Sequence, residues 1–169
     1  MTFHPSESFD IPKMAAFMRQ PDIYGALTDA LAPDPERVQF ETYMLEPTTW
    51  TVACMWEEHI IGYVQLISRT SVAVELISGF HAQARGIIAK RFVEYVIQKA
   101  FKERGVLVVW AMIPSDNLPA RHGIVACGFH QAARLHRAMI RIPKTYRGVT
   151  KSPGLYDLIV YALYRDKGN

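Results

Sequence analysis

A chain of 169 residues with a net charge of +3 is long enough to enclose one hydrophobic core. Its composition, 50% hydrophobic and 21% charged, excludes an intrinsically disordered chain. The mild positive charge falls short of the dense Lys/Arg surface typical of nucleic-acid-binding proteins. We therefore expect a single domain over residues 1–169, with a helical region at 1–47 and a core at 48–165.

The two cysteines, Cys54 and Cys127, form neither a disulfide framework nor a zinc-binding spacing. No metal site is therefore predicted. The N-terminus lacks the basic and apolar regions of a secretion signal, and the longest apolar run, 106–114, is too short to span a bilayer. These features predict a cytoplasmic protein in a reducing compartment, with no membrane partner and no nucleic acid.

Hydrophobic residues at helical spacing predict two N-terminal helices within 8–32, separated at Gln20-Pro21. Asp22 is the expected N-cap of the second helix, which extends to Leu31. The prolines in 32–36 predict a loop. Alternating β-branched and aromatic residues then predict three antiparallel strands, at 50–56, 60–67 and 72–80.

The segment 88–104 carries an apolar stripe at helical spacing, and Gly105 follows as the expected C-cap glycine. The apolar run 106–112 is typical of a central strand, and the strand–helix–strand order implies a parallel neighbour. A short helix at 117–126 and two strands at 136–142 and 155–164, joined by a loop at 143–154, complete the pattern. Together these elements predict an α/β fold with a mixed, central six- to seven-stranded sheet flanked by three or four helices.

Arg85 and Gly86 lie where the strand at 72–80 gives way to the long helix. A helix N-terminus presents unpaired N–H groups and the positive end of its dipole, so this junction is a candidate anion-binding site. The alternative is an ordinary turn with an exposed arginine.

Several motifs, taken in order, resemble the GCN5-related N-acetyltransferases. The run from Phe80 to Gly86 resembles that family's pyrophosphate loop, and Asn117, Ala120 and Gly128-Phe129 match its later spacings. The resemblance implies an acyl-CoA N-acyltransferase fold, acetyl-CoA (coenzyme A) as cofactor, and direct transfer of the acetyl group to a primary amine of an unknown acceptor. It implies a cofactor loop at 80–90 and these cofactor-binding residues: Phe80, His81, Gln83, Arg85, Gly86, Ile87, Ile88, Ala89, Lys90 and Asn117.

The chain departs from the family pattern at three places. Ile88 replaces the second small residue of the loop, and Ile124 stands where the family often has the tyrosine that protonates the leaving thiolate. Glu75, the candidate catalytic base, lies about one residue out of register, and a shift of one reverses the face of a strand. His122 and His81 are further candidates for proton transfer. A solvent-facing Glu75 and structural histidines are the alternatives, and Cys127 is most simply a small buried residue.

The departures leave a second interpretation open. The chain could be a catalytically degenerate member that serves as a structural, interaction or CoA-binding protein. The segments 21–24 and 33–35 resemble family members encoded by bacteriophages and prophages. The basic loop 143–154, with Tyr146, borders the acceptor site or is simply solvated. Exposed strand edges in this family often pair between subunits, so a homodimer is an expectation.

Overall fold

A computed structural model describes residues 3–27, 33–141, 145–146, 149–150 and 154–165 of the chain. Within these ranges lie nine strands and five α-helices, together with two 3₁₀ helices, Pro35–Arg37 and Ala82–Ala84. The strands are β1 (His4–Ser6), β2 (Thr49–Trp56), β3 (His59–Ser68), β4 (Ala73–Phe80), β5 (Val108–Pro114), β6 (His130–Arg141), β7 (Thr145–Tyr146), β8 (Val149–Thr150) and β9 (Gly154–Tyr164). The helices are α1 (Ile11–Arg19), α2 (Pro21–Leu27), α3 (Phe40–Leu45), α4 (Ile87–Glu103) and α5 (Leu118–Ala126).

Seven strands form one mixed sheet in the order β1-β2-β3-β4-β5-β9-β6, and β7 and β8 form a separate two-stranded ladder. Within the large sheet only β4 and β5 pair in parallel, while every other neighbouring pair is antiparallel. The helix α4 connects the two parallel strands, as the strand–helix–strand pattern predicted. The predicted fold class and sheet size are confirmed.

Two hydrophobic clusters, one on each face of the sheet, hold the fold together. On the first face α4 buries the stripe predicted from its sequence against alternate residues of β2 to β5 and β9. The second face is covered over β2 to β4 by α1, α2 and α3, whose Met14, Phe17, Ile23 and Met44 pack with Tyr63 of β3. Burying each such side chain contributes roughly 1.5–3 kcal/mol. The sheet is therefore anchored on both sides where β3 and β4 lie.

The structure differs from the sequence-based prediction mainly at the two ends of the chain. The strand β1 and the helix α3 were not predicted; α3 is one helix more than the three or four expected. Asp22 lies in the first turn of α2 instead of at its N-cap. The strand predicted at 136–142 begins at His130. Leu31 and residues 142–144, 147–148 and 151–153 of the basic loop lie outside the described residues.

The long edge strand β6 contains an irregular segment that is held by a single carboxylate. The register between β6 and β9 shifts between Leu135 and Met139, and Arg137 there adopts a φ of +51°. Asp157 on β9 accepts a hydrogen bond from the Arg137 amide at 2.9 Å and one from Arg134 Nε at 2.6 Å. Asp157 therefore fastens the irregular segment to its neighbouring strand.

This arrangement predicts a specific pH dependence of stability. The Arg137 amide, with help from Arg134, lowers the pKa of Asp157. A carboxyl whose pKa is lower in the folded protein than in the unfolded chain stabilises the fold above its unfolded pKa, and this contribution is lost as the pH falls through the folded pKa. Thermal melting between pH 7 and about pH 3 should therefore show the native protein losing its advantage over D157N as the pH falls. E58Q, in the exposed β2–β3 turn, is the control, and parallel curves for native protein and D157N would contradict the assignment.

Candidate functional site

The parallel strands β4 and β5 separate part of the way along their length. They pair at three positions, Ala73 with Val108, Val74 with Val109 and Glu75 with Trp110. Beyond that point β4 stays paired with β3 as far as Phe80, and β5 stays paired with β9 as far as Pro114. The two strands thus leave a V-shaped cleft between them, which opens toward their carboxyl ends.

The N-terminus of α4 lies at the open end of this cleft. Gly86 is its N-cap, with φ +79° and ψ −124°, and no side chain caps the helix. A Cβ placed on Gly86 would meet no atom within 4 Å. The amides of Ile87, Ile88 and Ala89 belong to the first turn, where N–H groups have no acceptor within the helix. The junction therefore combines open space, unpaired donors and a positive helix end, which is the arrangement that binds phosphate.

The isoleucine that replaces the expected small residue does not fill this space. Ile88 is partly buried and packs, with Ala89, against the core cluster on the α4 face. Ile87 is the exposed residue of the turn, with 64% of its surface accessible. The departure at Ile88 thus leaves the space in front of Gly86 open.

The two cations predicted to bind the ligand are held differently. Arg85 Nε donates to the Phe80 carbonyl at 3.1 Å, and its Nη2 lies 3.7 Å from Oδ2 of Asp22. Arg85 and Asp22 are each about half exposed, at 51% and 50%. Lys90 Nζ pairs with Glu94 at 2.7 Å, one turn further along the helix. Arg85 is therefore the cation positioned at the loop, and the charge of Lys90 is directed along α4.

The remaining predicted cofactor residues surround the same end of the cleft. Phe80 is buried and packs edge-on against Phe92 at 6.0 Å, while the His81 ring meets Phe17 at 4.8 Å. Gln83 is exposed in the 3₁₀ helix that precedes Arg85. Across the cleft Asn117 caps α5 by accepting a hydrogen bond from the Ala120 amide at 3.4 Å.

The structure does not bring the two predicted catalytic residues together. Glu75 is 7% exposed and lies at the vertex of the cleft, on the sheet face opposite α4. It accepts a hydrogen bond from Arg69 Nε at 2.8 Å and pairs with the second guanidinium nitrogen. His122 is exposed on α5, a helix that packs on the α4 face through Ile124. The catalytic role of His122 stays a prediction.

The chemistry of the other polar groups further reduces the number of candidate catalytic and metal-binding residues. The three buried polar residues among the described residues, Thr51, Gln65 and Glu75, share one face of the sheet by register. Burial raises the pKa of the Cys127 thiol to about 11, so the thiol stays protonated and is a poor nucleophile. No cluster of His, Cys, Asp or Glu in the described ranges is placed to hold a metal ion.

Sequence reasoning missed two residues that contact the site. Asp22 reaches Arg85 from α2, and Arg69 reaches Glu75 from the β3–β4 turn. No motif in the sequence links either residue to its partner, because each is brought to the site by the packing of a different element. In each pair, the only signal in the sequence is that the two residues carry opposite charges.

The comparison with solved structures supports this architecture. No family model matches the sequence, and no curated protein matches it. Among solved structures, the spermidine N-acetyltransferase from Vibrio cholerae in complex with CoA and spermine is 12% identical, covers 96% of this chain and 94% of its own, and has a TM-score of 0.72. The ribosomal-protein-S5-alanine acetyltransferase from Vibrio fischeri is 15% identical, covers 99% and 95%, and also has a TM-score of 0.72. No helix in the described part of the chain has the length and apolar character needed to cross a membrane. The sheet order, the cleft between β4 and β5 and these neighbours together show that the chain has the fold of the GCN5-related N-acetyltransferases.

Proposed function

We propose that this protein is an acetyl-CoA-dependent N-acetyltransferase that acetylates a primary amine by direct attack in a ternary complex. The observation that carries the proposal is the cleft between β4 and β5, which opens onto the uncapped N-terminus of α4. One end of this arrangement suits a diphosphate, and the gap between the strands suits a narrow pantetheine arm. Bound acetyl-CoA would supply an activated acyl group as its thioester.

The first contribution of the protein's own residues would be to bind acetyl-CoA and to orient it toward the amine. The amides of Ile87, Ile88 and Ala89 and the guanidinium of Arg85 would hold the diphosphate. Holding a thioester and an amine in one site provides effective molarities of ~10⁵ M or more, so positioning supplies much of the rate. General acid–base help typically adds about 10²–10⁴-fold.

Glu75 would accept the proton of the attacking amine. It lies where the strands part, and it is enclosed instead of facing solvent, which was the alternative in the sequence analysis. Its partner Arg69 is half exposed, at 51%, so the guanidinium can move away when a cationic amine arrives. The carboxylate would then orient the ammonium and take its proton.

The acceptor is best sought with a panel of amines. The solved enzymes with this fold are named for a polyamine and for an alanine of a ribosomal protein, so the panel should include polyamines and peptides with a free N-terminus. Thermal melting with acetyl-CoA tests binding, because a ligand at about 100 times its dissociation constant stabilises by ~2.7 kcal/mol. Release of free CoA thiol tests turnover.

Each outcome of this experiment has a clear meaning. A melting shift together with thiol release supports the enzyme. A shift without release from any amine favours a CoA-binding protein, which the apolar Ile124 at the position of the family's tyrosine would explain. The absence of any shift contradicts the proposal.

The charge reversal R85E is expected to weaken CoA binding roughly tenfold, equivalent to ~1.4 kcal/mol. The substitution removes a cation next to the expected diphosphate and also places a carboxylate near Asp22. Titration of the melting temperature with CoA measures the change. The control is K102E, an identical charge reversal at the exposed far end of the same helix. Equal affinities for R85E and K102E would show that the loop does not bind the diphosphate.

A further inference from the structure

The aromatic ring of Tyr63 lies across a glycine on the neighbouring strand. Tyr63 of β3 is paired in register with Gly79 of β4. A Cβ placed on Gly79 would lie 2.7 Å from Cε1 and 3.3 Å from Cζ of Tyr63, so the far end of the ring covers the backbone of β4. The hydroxyl is attached to Cζ and therefore extends beyond Gly79, away from β3.

Gly79 places this hydroxyl beside the cleft. The pairing between β4 and β5 ends at Glu75, and Gly79 lies four residues further along β4. On its far side from β3, this part of β4 borders the gap between the strands. From this position of the ring we expect the Tyr63 hydroxyl beside the gap between β4 and β5, on the sheet face that also carries Glu75.

The Tyr63 hydroxyl is protonated and has no hydrogen-bond partner among the described residues. Tyr63 is only 1% exposed, and no side-chain hydrogen bond among the described residues involves its hydroxyl. Arg19 Nε is the one fully buried side-chain polar atom without a partner among the described residues, so the small remaining exposure of Tyr63 includes its hydroxyl. The ring packs edge-on against Phe17 at 6.2 Å, and Ile23 covers Gly79 beside it. Burial raises the pKa of Tyr63, so the phenol stays neutral at physiological pH. The hydroxyl is therefore a donor that is almost enclosed but still open at its tip, where a ligand can accept its hydrogen bond.

We propose that the Tyr63 hydroxyl donates a hydrogen bond to the carbonyl oxygen of an acyl thioester bound between β4 and β5. The inference rests on the proposed function and adds a catalytic residue to it. As the amine nitrogen bonds to the carbonyl carbon, negative charge develops on this oxygen, and a fixed donor in an enclosed site stabilises it. When the carbon–sulfur bond breaks, the electron pair leaves with the sulfur and the amide carbonyl re-forms.

Tyr63 keeps its proton throughout this sequence. A thiol has an ordinary pKa of about 8.5 and a phenol about 10, so a thiolate does not remove the proton of a buried phenol. Glu75 takes the first proton of the ammonium before the attack. The second nitrogen proton leaves to solvent as the amide forms, and solvent protonates the thiolate. Tyr63 acts by donating a hydrogen bond, a role that differs from the thiolate protonation associated with the position of Ile124.

The test is the variant Y63F, which keeps the ring over Gly79 and removes only the hydroxyl. We expect kcat with acetyl-CoA and an accepted amine to fall at least tenfold, since the loss of one such donor typically costs about 10²–10³-fold. Binding of CoA, which has no thioester carbonyl, should be unchanged, and the melting temperature should not fall. Y43F, at an exposed tyrosine of α3, is the control for the substitution itself.

The outcomes separate this inference from the proposed function. If the native protein binds CoA and turns over while Y63F retains its kcat, the inference is overturned and the proposed function stands. A parallel loss of melting temperature and activity in Y63F would show that the hydroxyl is structural, and would also overturn it. Failure of the native protein to bind CoA overturns both.

Discussion

Replacing Phe80 with alanine is expected to lower the free energy of unfolding by about 3–5 kcal/mol. Phe80 is 8% exposed, packs edge-on against Phe92 and lies over Gly62 of the neighbouring strand, so its removal leaves a cavity at the end of β4. The same variant should weaken CoA binding, because the cavity lets the end of β4 shift, and with it the Phe80 carbonyl that accepts a hydrogen bond from Arg85. Chemical denaturation measures the first effect, and the thermal shift with CoA measures the second.

The variant G62A tests whether the Phe80 ring and Gly62 are energetically coupled. A Cβ on Gly62 would lie 2.2 Å from Cδ1 of Phe80, so G62A should displace the ring and cost about 1–3 kcal/mol. In the double variant the ring is absent and the methyl group has space, so the two losses should not add. G123A is the control, because a Cβ on that helical glycine meets nothing within 4 Å, and it should stabilise by about 0.5–1 kcal/mol. Full additivity of G62A and F80A would contradict this account.

The same aromatic-on-glycine arrangement occurs on both faces of the sheet at adjacent register positions. Phe80 covers Gly62 on the α4 face, and Tyr63 covers Gly79 on the opposite face. The rings fix the end of β4 from both sides at the point where β5 has already diverged. A strand that lacks a neighbour on one edge is thereby held in place.

The elements that the sequence predicted well are those with long, regular patterns. The apolar stripe of 88–104 predicted α4 to within one residue, and Gly105 has the positive φ of +66° expected after a helix. The hairpin of β2 and β3 was predicted from two runs of β-branched and aromatic residues. In the structure its turn contains Glu57, which has a positive φ of +53°. In these segments local pattern and tertiary packing require the same structure.

The elements that were missed carry little local pattern. The strand β1 has three residues and includes Pro5, and it forms only because the edge of β2 is available. Most of β6 is exposed on both faces, so its sequence shows no alternation, and its start at His130 was missed. Here partner strands decide the structure, and a single sequence does not reveal them.

The candidate site was predictable in its backbone and much less so in its side chains. The strand–loop–helix order and the Gly86 motif predicted where the candidate anion-binding junction lies, since both are local. The partners Arg69 and Asp22, and the position of Tyr63 over Gly79, depend on register and on helix packing. A strand register has to be known before an aromatic residue can be matched with the glycine opposite it.

Substituting alanine for Gly86 is expected to weaken CoA binding by at least about 100-fold, or ~2.7 kcal/mol. Its φ of +79° and ψ of −124° form a conformation that L-residues rarely adopt, so the loop must rearrange and the first amides of α4 turn away from the ligand. The added methyl group would also project into the open space where the diphosphate is expected. Isothermal titration with CoA measures the loss.

Gly105 provides a matched control at the other end of α4. It also has a positive φ, +66°, and a Cβ there meets nothing within 4 Å, so G105A imposes a similar backbone strain of about 1–2 kcal/mol. Both variants should therefore melt earlier than the native protein, but only G86A should lose affinity for CoA. If G105A weakened CoA binding as much as G86A, the effect would be one of general stability. An anion site at the N-terminus of α4 requires the two variants to differ in affinity while they resemble each other in stability.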